Sequence, residues 1–299
     1  MIKRLSVFAC LWLSSLLSAH NVIFDFNGVL MGTNTLASLK QIGLSSIMQC
    51  MFHLKKSPLC INAHIKSKFF EILDRVALVC AFDQQSSARA YDEMGTALPY
   101  LMRTWLDGSM TCSEIKEYIA YATETHPEWF SHPSEKHVIC NVINTIFTPQ
   151  QFVETRTIYQ ECIRFIKACK KQGHKVFALS NWDRESFALL QKKYPAVFNL
   201  FDGIVISADV HALKPSADIY HVLLTRYNLE PHTCWFIDDQ QENVLAASAL
   251  GIHAILCQHT KHKKPNFRQV ILNIKKQLKL QRHDQQSVSC AKAMVTTLP

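Results

Sequence analysis

Glycine is scarce, with 8 residues in 299. No Gly-x-x-x-x-Gly-Lys-Ser/Thr loop and no Gly-x-Gly-x-x-Gly fingerprint is present, which excludes nucleotide-driven transfer and hydride chemistry built on those loops. No Gly-x-Ser-x-Gly elbow offers a serine nucleophile. The 11 cysteines contain no Cys-x-x-Cys pair and no Cys/His cluster at zinc spacing. Internal repeats and low-complexity blocks are absent as well. Acidic residues number 24 against 32 Lys and Arg, a net charge of +8. That excess is local: from Lys261 to Arg282 there are eight Lys or Arg and no acid. The rest of the chain is close to balanced, so no nucleic-acid partner is expected. What is present in quantity is apolar: 48% of residues are hydrophobic. This is ample for a buried core, and excludes a disordered chain, a collagen-like repeat or a disulfide-only miniprotein.

The two ends differ from the middle. In residues 1–19, Lys3 and Arg4 precede an apolar run from Leu5 to Leu17, followed by Ser18 and Ala19. A basic start, a short apolar stretch and small residues at the exit describe a secretory signal peptide, and predict export to a periplasm or the exterior. An uncleaved anchor or a cytoplasmic protein with an amphipathic extension is the alternative. The run is too short and too serine-broken for a comfortable membrane span, and no other segment reaches spanning length without charges, so no stable membrane span is expected. Cleavage after Ala19 would remove Cys10 and leave ten cysteines, free to pair or to serve as small buried hydrophobes. Near the other end, Phe267, Val270, Ile271, Ile274 and Leu278 fall at helical spacing with Lys275, Lys276 and Lys279 off the stripe. They predict a final helix docked by its apolar face. Residues 284–299 are polar and read as a loose tail.

The middle has two textures. Asn21–Phe26 is a short apolar strand candidate ended by Asn27-Gly28. Residues 33–149 then carry helical spacing with almost no strand signal, as in Ile65-Phe69-Phe70-Leu73-Val76 and Ala97-Tyr100-Leu101-Trp105. From Thr148-Pro149, a helix N-cap and first turn, one helix is expected to run toward Lys171 and stop at Gly173. Strands follow at Lys175–Leu179, Gly203–Ile206, Cys234–Ile237 and His253–Leu256. Between them lie helices at Ser186–Lys193, Asp218–Tyr227 and Asn243–Leu250, the last ended by Gly251. Short apolar strands alternating with helices predict an α/β fold, a doubly wound parallel sheet covered on both faces. Its core would comprise residues 20–32 and 150–283, with residues 33–149 inserted as an all-helical cap.

Four strands carry polar groups at one end: Asp25-Phe26-Asn27-Gly28, Ser180-Asn181, Lys214-Pro215 beyond the third, and Asp238-Asp239. In an open parallel sheet that rim is where ligands bind. Asp25 and Asp238 brought together repel unless a cation lies between them, and hard oxygen donors with room for water suit Mg²⁺. Lys214 and the Ser180 hydroxyl supply a point charge and a donor suited to a phosphoryl group. Gly28 permits a tight turn in which the N–H groups after Asp25 form an anion nest. Asp25 is then the candidate carboxylate nucleophile.

The segments NVIFDFNGVL, FALSNWD, LKPSADIY and CWFIDDQQENVLAASALGIHAI, in this order, resemble the four motifs of the haloacid dehalogenase-like hydrolase superfamily. The resemblance covers residues 21–32 and 150–257 and the placement of the cap. It implies a Rossmann-like core, Asp25 as nucleophile, and Ser180 and Lys214 on the phosphoryl group. It also implies Mg²⁺ held or oriented by Asp25, Asp238, Asp239 and the Asn27 backbone carbonyl. One position departs: the phosphatase pattern is Asp-x-Asp with the second Asp as general acid and base, and here that residue is Asn27, which exchanges no proton. The expectation is a Mg²⁺-dependent hydrolase of a small phosphomonoester through an aspartyl-phosphate, weakened at Asn27 unless the leaving group is good or the cap supplies an acid. The alternatives are a phospho-ligand binder without turnover and a C–halogen hydrolase, although the dehalogenase branch resembles Asp-x-Tyr there. Asn181 orients either the substrate phosphate or its own loop, and Trp182 either walls the pocket or packs a turn. Asn243 reads as a residue behind the ligands or a helix start. His126, His132 and His137 read as surface groups.

Overall fold

The computed structural model describes residues 20–83, 89–92, 94–260, 264–274 and 276. The expected signal peptide (1–19) and tail (284–299) lie outside them. Five short apolar strands form one parallel sheet in the order β5-β4-β1-β6-β7: β1 (Asn21–Phe24), β4 (Lys175–Ser180), β5 (Gly203–Ile206), β6 (Cys234–Asp238) and β7 (His253–Leu256). Because strand side chains alternate, each strand feeds two cores. Val22, Phe24, Val176, Ala178, Trp235 and Ile237 enter one, and Ile23, Phe177, Leu179, Cys234 and Phe236 the other. Both faces are covered by helices, which is why these strands read as continuous apolar runs.

The helices, in chain order, begin with six in the insert: α1 (Thr35–Ile42), α2 (Leu44–His53), α3 (Pro58–Val79), α4 (Tyr100–Leu106), α5 (Cys112–Thr125) and α6 (Pro133–Ile146). The return to the sheet brings α7 (Pro149–Glu154), α8 (Gln160–Lys171), α9 (Arg184–Lys193), α10 (Pro195–Phe198), α11 (Ser207–Val210), α12 (Ala217–Arg226) and α13 (Gln241–Ala249). The insert has its own core, with Phe69, Leu73 and Val76 of α3 against Leu101 and Trp105 of α4, Ile115 and Ile119 of α5, and Ile139 and Ile143 of α6. A reciprocal capping box between Thr111 and Glu114 opens α5.

The single helix expected from Thr148 to Lys171 does not form. It stops at Glu154, and Arg156–Ile158 becomes strand β3, antiparallel to β2 (Met31–Thr33). The residues concerned, Thr155, Thr157 and Ile158, are β-branched and stiff in a helix. Their preference is realised because the outgoing chain at Met31–Thr33 passes alongside. The two crossings into and out of the insert are thereby laced together, with Thr33 opposite Arg156. The first strand ends at Phe24 rather than Phe26, while β4 and β6 each extend one residue further than expected, to Ser180 and Asp238.

At the far end, residues 267–274 are helical and bury Phe267, Val270 and Ile274 against the same core as α8, as the apolar stripe anticipated. Leu278, Lys275 and Lys279 of that stretch lie outside the described residues or their side chains do. Among the described residues no disulfide forms, and Cys50, Cys112, Cys162, Cys169, Cys234 and Cys257 are buried as small apolar groups. No helix of the described residues is long and apolar enough to cross a membrane.

Opposite the polar rim, at the start of the strands, three histidines gather, His174 buried and His20 and His253 partly so. The His20 N–H donates to His174 Nδ1 at 3.2 Å, and the His253 ring lies 4.9 Å from that of Trp235. Burial lowers all three imidazoles below their ordinary value of 6.5, and the neighbouring His253, His20 and His232 respectively lower them further. An unfolded chain therefore binds more protons than the folded one just below pH 6.5, so this contribution is present above that pH and lost as pH falls through it. The histidines' share of the urea midpoint should drop between pH 7.5 and pH 5.5. The triple variant His20→Gln, His174→Gln, His253→Gln should flatten that drop; an unchanged pH dependence would assign the acid sensitivity elsewhere.

Candidate active site

The sheet order reverses at β1, which lies between β4 and β6, and the crevice beyond its carboxyl end is where four loops converge. Asp25 follows β1 directly; its N–H still bonds the Ile237 carbonyl at 2.9 Å, so the residue is held as rigidly as the strand. Behind it the chain turns sharply, with the N–H groups of Leu30 and Met31 both donating to the Phe26 carbonyl. Phe26 anchors this turn: its ring centroid lies 5.5 to 5.7 Å from those of Phe187, Phe198 and Phe201. A fully buried Phe contributes about 1.5–3 kcal/mol of transfer free energy. Gly28, at φ +80°, is required twice over, since a Cβ there would stand 1.9 Å from Asp239 Oδ2.

Three charged side chains with almost no solvent exposure meet on this rim. Lys214 Nζ lies 2.8 Å from Asp25 Oδ1, 2.6 Å from Asp238 Oδ2 and 3.0 Å from the Leu179 carbonyl. Ser180 Oγ, ending β4, donates to the same Asp25 Oδ1 at 2.7 Å. Asp25 Oδ2 has no hydrogen bond among the described residues, and Asp25 lines the crevice. Asp238 is held from behind by the Gln240 N–H at 2.8 Å and by Asn243 Nδ2, 3.1 Å from both its oxygens. Asn181 clamps Lys214: its carboxamide accepts from the Lys214 N–H at 2.8 Å and donates to the Lys214 carbonyl at 2.9 Å. Of the two roles open to Asn181, the geometry displays the one that organises the loop. Asn243 likewise stands behind Asp238.

The electrostatics follow from burial. Asp25 is pushed up to about 6, first by loss of solvent and then by the Asp238 charge, with Lys214 and Ser180 pulling in the opposite direction. Burial alone works against the charge on Lys214, but Asp238 and then Asp25 outweigh it and hold the ammonium above its ordinary value. A buried cation between two buried carboxylates is thus mutually dependent: each group is tolerated because the others are there.

Carboxylate oxygens of Asp25, Asp238 and Asp239 lie within 4.8 Å of one another. Three hard donors of one sign that close together fit a hard divalent cation such as Mg²⁺. Asn27 stands two residues beyond Asp25 with an exposed side chain, and its Oδ1 accepts from Arg156 Nη1 at 3.3 Å.

Above these groups is a cavity of ≈ 340 Å³ shared by core and insert. Its lining includes Asp25, Asn27, Ser180, Asn181 and Lys214 below and Trp105, Leu106 and Phe152 above. Trp182 proves both a packed turn aromatic and a wall: it is buried in the core, donates from Nε1 to Ser186, and borders the cavity. Phe152 links it to the insert, with ring distances of 5.9 Å to Trp182 and 5.5 Å to Trp105. The residue that reading the sequence missed is Arg156. It was hidden inside an expected helix, and only the β-branched run Thr155–Ile158 hinted that the segment was a strand. His126, His132 and His137 are remote from the cavity lining.

A family model described as haloacid dehalogenase-like hydrolase matches residues 20–251. The sesquiterpene phosphatase astK of Aspergillus oryzae is 32% identical over 87 residues, 29% of this chain and 44% of that protein. Bifunctional epoxide hydrolase 2 of Rattus norvegicus is 27% identical over 121 residues, 40% of this chain and 22% of that protein. The chain therefore spans less than half the length of these relatives. Among solved structures, the HAD family enzyme bt-2542 from Bacteroides thetaiotaomicron, complexed with magnesium and inorganic phosphate, is 16% identical. That alignment has a TM-score of 0.48 and covers 81% of this chain and 95% of the other.

Proposed function

The chain belongs to the haloacid dehalogenase-like hydrolase family, and from that premise we propose that it is a Mg²⁺-dependent hydrolase of a small phosphomonoester, acting through an aspartyl-phosphate on Asp25. One observation carries the reading: the Asp25 carboxylate, on the cavity lining, is pinned through Oδ1 by both Lys214 and Ser180, which leaves Oδ2 as the attacking oxygen. The name of one relative, a sesquiterpene phosphatase, is in keeping with it.

In this reading Oδ2 forms a bond to phosphorus as the bond from phosphorus to the leaving oxygen breaks; that oxygen keeps the electron pair and takes its proton from solvent water. Lys214 offsets charge on the phosphoryl oxygens, and the Ser180 hydroxyl turns its proton toward one of them. Asp25, Asp238 and Asp239 would hold Mg²⁺, which supplies charge neutralisation on the transferring group. Gln240 and Asn243 keep Asp238 aimed at that position. The cavity walls, Trp105 and Leu106 of the insert and Phe152 of α7, exclude bulk water while the ester is in place. Water then attacks phosphorus, restoring the Asp25 carboxylate and releasing orthophosphate. Asn27 sits where an acid would assist, and favours one second reading, a phospho-ligand binder without turnover.

The test is orthophosphate release from a panel of phosphomonoesters with 5–10 mM-scale Mg²⁺ (on the order of a weak site's need) and with EDTA. Release that requires Mg²⁺ is expected, slower by about 10²–10⁴ than for a comparable acid-assisted enzyme. Saturable binding of phosphate esters with no release would favour the binder. Halide release from 2-haloacids without metal would place the chain on the dehalogenase side.

A further inference from the structure

We propose that the substrate is a phosphoanhydride such as an organic diphosphate, whose leaving group departs as an anion that needs no proton, and that Arg156 binds that departing group. The inference rests on the reading of Asp25 as a phosphoryl acceptor and moves its substrate from a simple phosphomonoester to a phosphoanhydride.

Two residues beyond the attacking carboxylate there is no carboxyl to lend a proton. Asn27, two residues from Asp25, carries an amide, which does not titrate. Its Oδ1 is instead occupied by a cation: Arg156 Nη1 donates to Asn27 Oδ1 at 3.3 Å and to Thr33 Oγ1 at 3.1 Å. The guanidinium carbon lies 4.1 Å from the centroid of the Phe152 ring, itself wedged between Trp105 and Trp182. The pairing of β2 with β3 sets the backbone register that makes these contacts. Arg156 is thus a fixed wall of the cavity rather than a waving surface charge.

The other carboxyls on the lining are committed elsewhere. Asp92 binds Lys66 Nζ at 2.7 Å and accepts from the N–H groups of Met94 and Thr96. Asp183 caps α9, accepting from the Ser186 N–H and from its hydroxyl. Both accept hydrogen bonds as carboxylates and neither points a proton at the floor.

Chemistry then decides between substrates. An alcohol is about as weak an acid as water, whose pKa is about 15.7, so an unassisted alkoxide is a poor leaving group. A phosphate monoester has a second pKa of about 6 and departs as a stable dianion. A planar guanidinium fork matches paired phosphoryl oxygens. The steps balance without an acid. Asp25 Oδ2 bonds to the terminal phosphorus, the anhydride P–O bond breaks, and its electron pair leaves on the organic phosphate beside Arg156. Water then cleaves the acyl phosphate, giving the Asp25 carboxylate and dihydrogen phosphate, which loses its proton to solvent. The organic monophosphate is itself an alkyl ester and is left intact.

The experiment uses the full chain with Mg²⁺ and two probes, n-octyl diphosphate and n-octyl phosphate. Expected is one orthophosphate per diphosphate, with kcat/KM at least about 10²-fold above that for the monophosphate. Arg156→Gln should lower the diphosphate rate by about 10- to 100-fold, the effect of a lost charge-assisted contact, with partial rescue in Arg156→Lys. The same variant should be affected far less on p-nitrophenyl phosphate, whose leaving group carries no phosphoryl; equal loss on both would mean a merely structural role for Arg156 and overturn its assignment. Asn27→Asp, by adding an acid, should raise the monophosphate rate and narrow the preference. Tyr91→Phe, which removes the phenol on the lining, should leave the preference unchanged. Comparable wild-type rates on the two octyl probes overturn the anhydride proposal while leaving the phosphatase reading standing. No release from any probe overturns both.

Discussion

Asp25→Asn should abolish phosphate release, a loss on the order of 10⁶ in kcat by analogy with removal of other covalent nucleophiles, while the protein stays folded. The two halves of this result have separate causes. An amide nitrogen or carbonyl cannot do what carboxylate Oδ2 does at phosphorus. The amide oxygen can still accept from Lys214 Nζ and Ser180 Oγ, which lie 2.8 and 2.7 Å from Asp25 Oδ1. Burial and the neighbouring Asp238 push the Asp25 carboxyl up to about 6, so at pH 7.5 its charge opposes folding in the metal-free protein. A carboxylate whose folded pKa is raised makes the folded state the better proton binder, and its cost appears as pH rises through the ordinary value near 3.8 toward 6. Removing that charge should hold or raise the urea midpoint. Phosphate assays and urea titrations on the same preparation check both halves; turnover within tenfold of wild type would assign the nucleophile elsewhere.

Lys214→Met should be the most destabilising change in the crevice. Methionine fills much of the volume but leaves Asp25 and Asp238 facing one another with no cation, in a site where the two carboxylates are 5% and 0% exposed. Breaking a buried charge set by deleting one member costs about 3–5 kcal/mol. For a domain of this size that lowers Tm by roughly 10 °C. Added Mg²⁺ should restore part of the loss, because the three carboxylates it would join are the ones left uncompensated. The double variant with Asp25→Asn should be more stable than Lys214→Met alone, the non-additivity expected of residues in contact. An unchanged Tm in Lys214→Met would show that the ammonium is not what makes the paired carboxylates tolerable. Differential scanning calorimetry with and without Mg²⁺ separates these outcomes.

The strands of the sheet were legible because they are buried on both faces and therefore uniformly apolar: Gly203–Ile206 and His253–Leu256 were placed to the residue. So were the four polar strand ends, since a buried parallel strand has no other reason to stop in Asp, Ser or Asp-Asp. Arg156 was not legible. Its role depends on β3 pairing with β2, a contact between residues more than 120 apart in the chain, and local spacing favoured continuing the helix from Pro149. The commitments of Asn181 and Asn243 were equally out of reach, because a carboxamide can serve substrate or backbone and only its neighbours decide which.

By itself the sequence determined the layered sheet, the rim on which chemistry collects and the identity of the acids and the lysine that meet there, because hydrophobic periodicity and strand punctuation are local properties. The scarcity of glycine belongs to the same level: with so few, Gly28 stood out as the turn beside Asp25. Tertiary structure alone decided which oxygen of Asp25 is held and which has no hydrogen bond, that Lys214 bridges two carboxylates, and that the chain returning from the insert brings an arginine to Asn27. Those are distances between groups far apart along the chain, set by packing and register, and no local pattern encodes them.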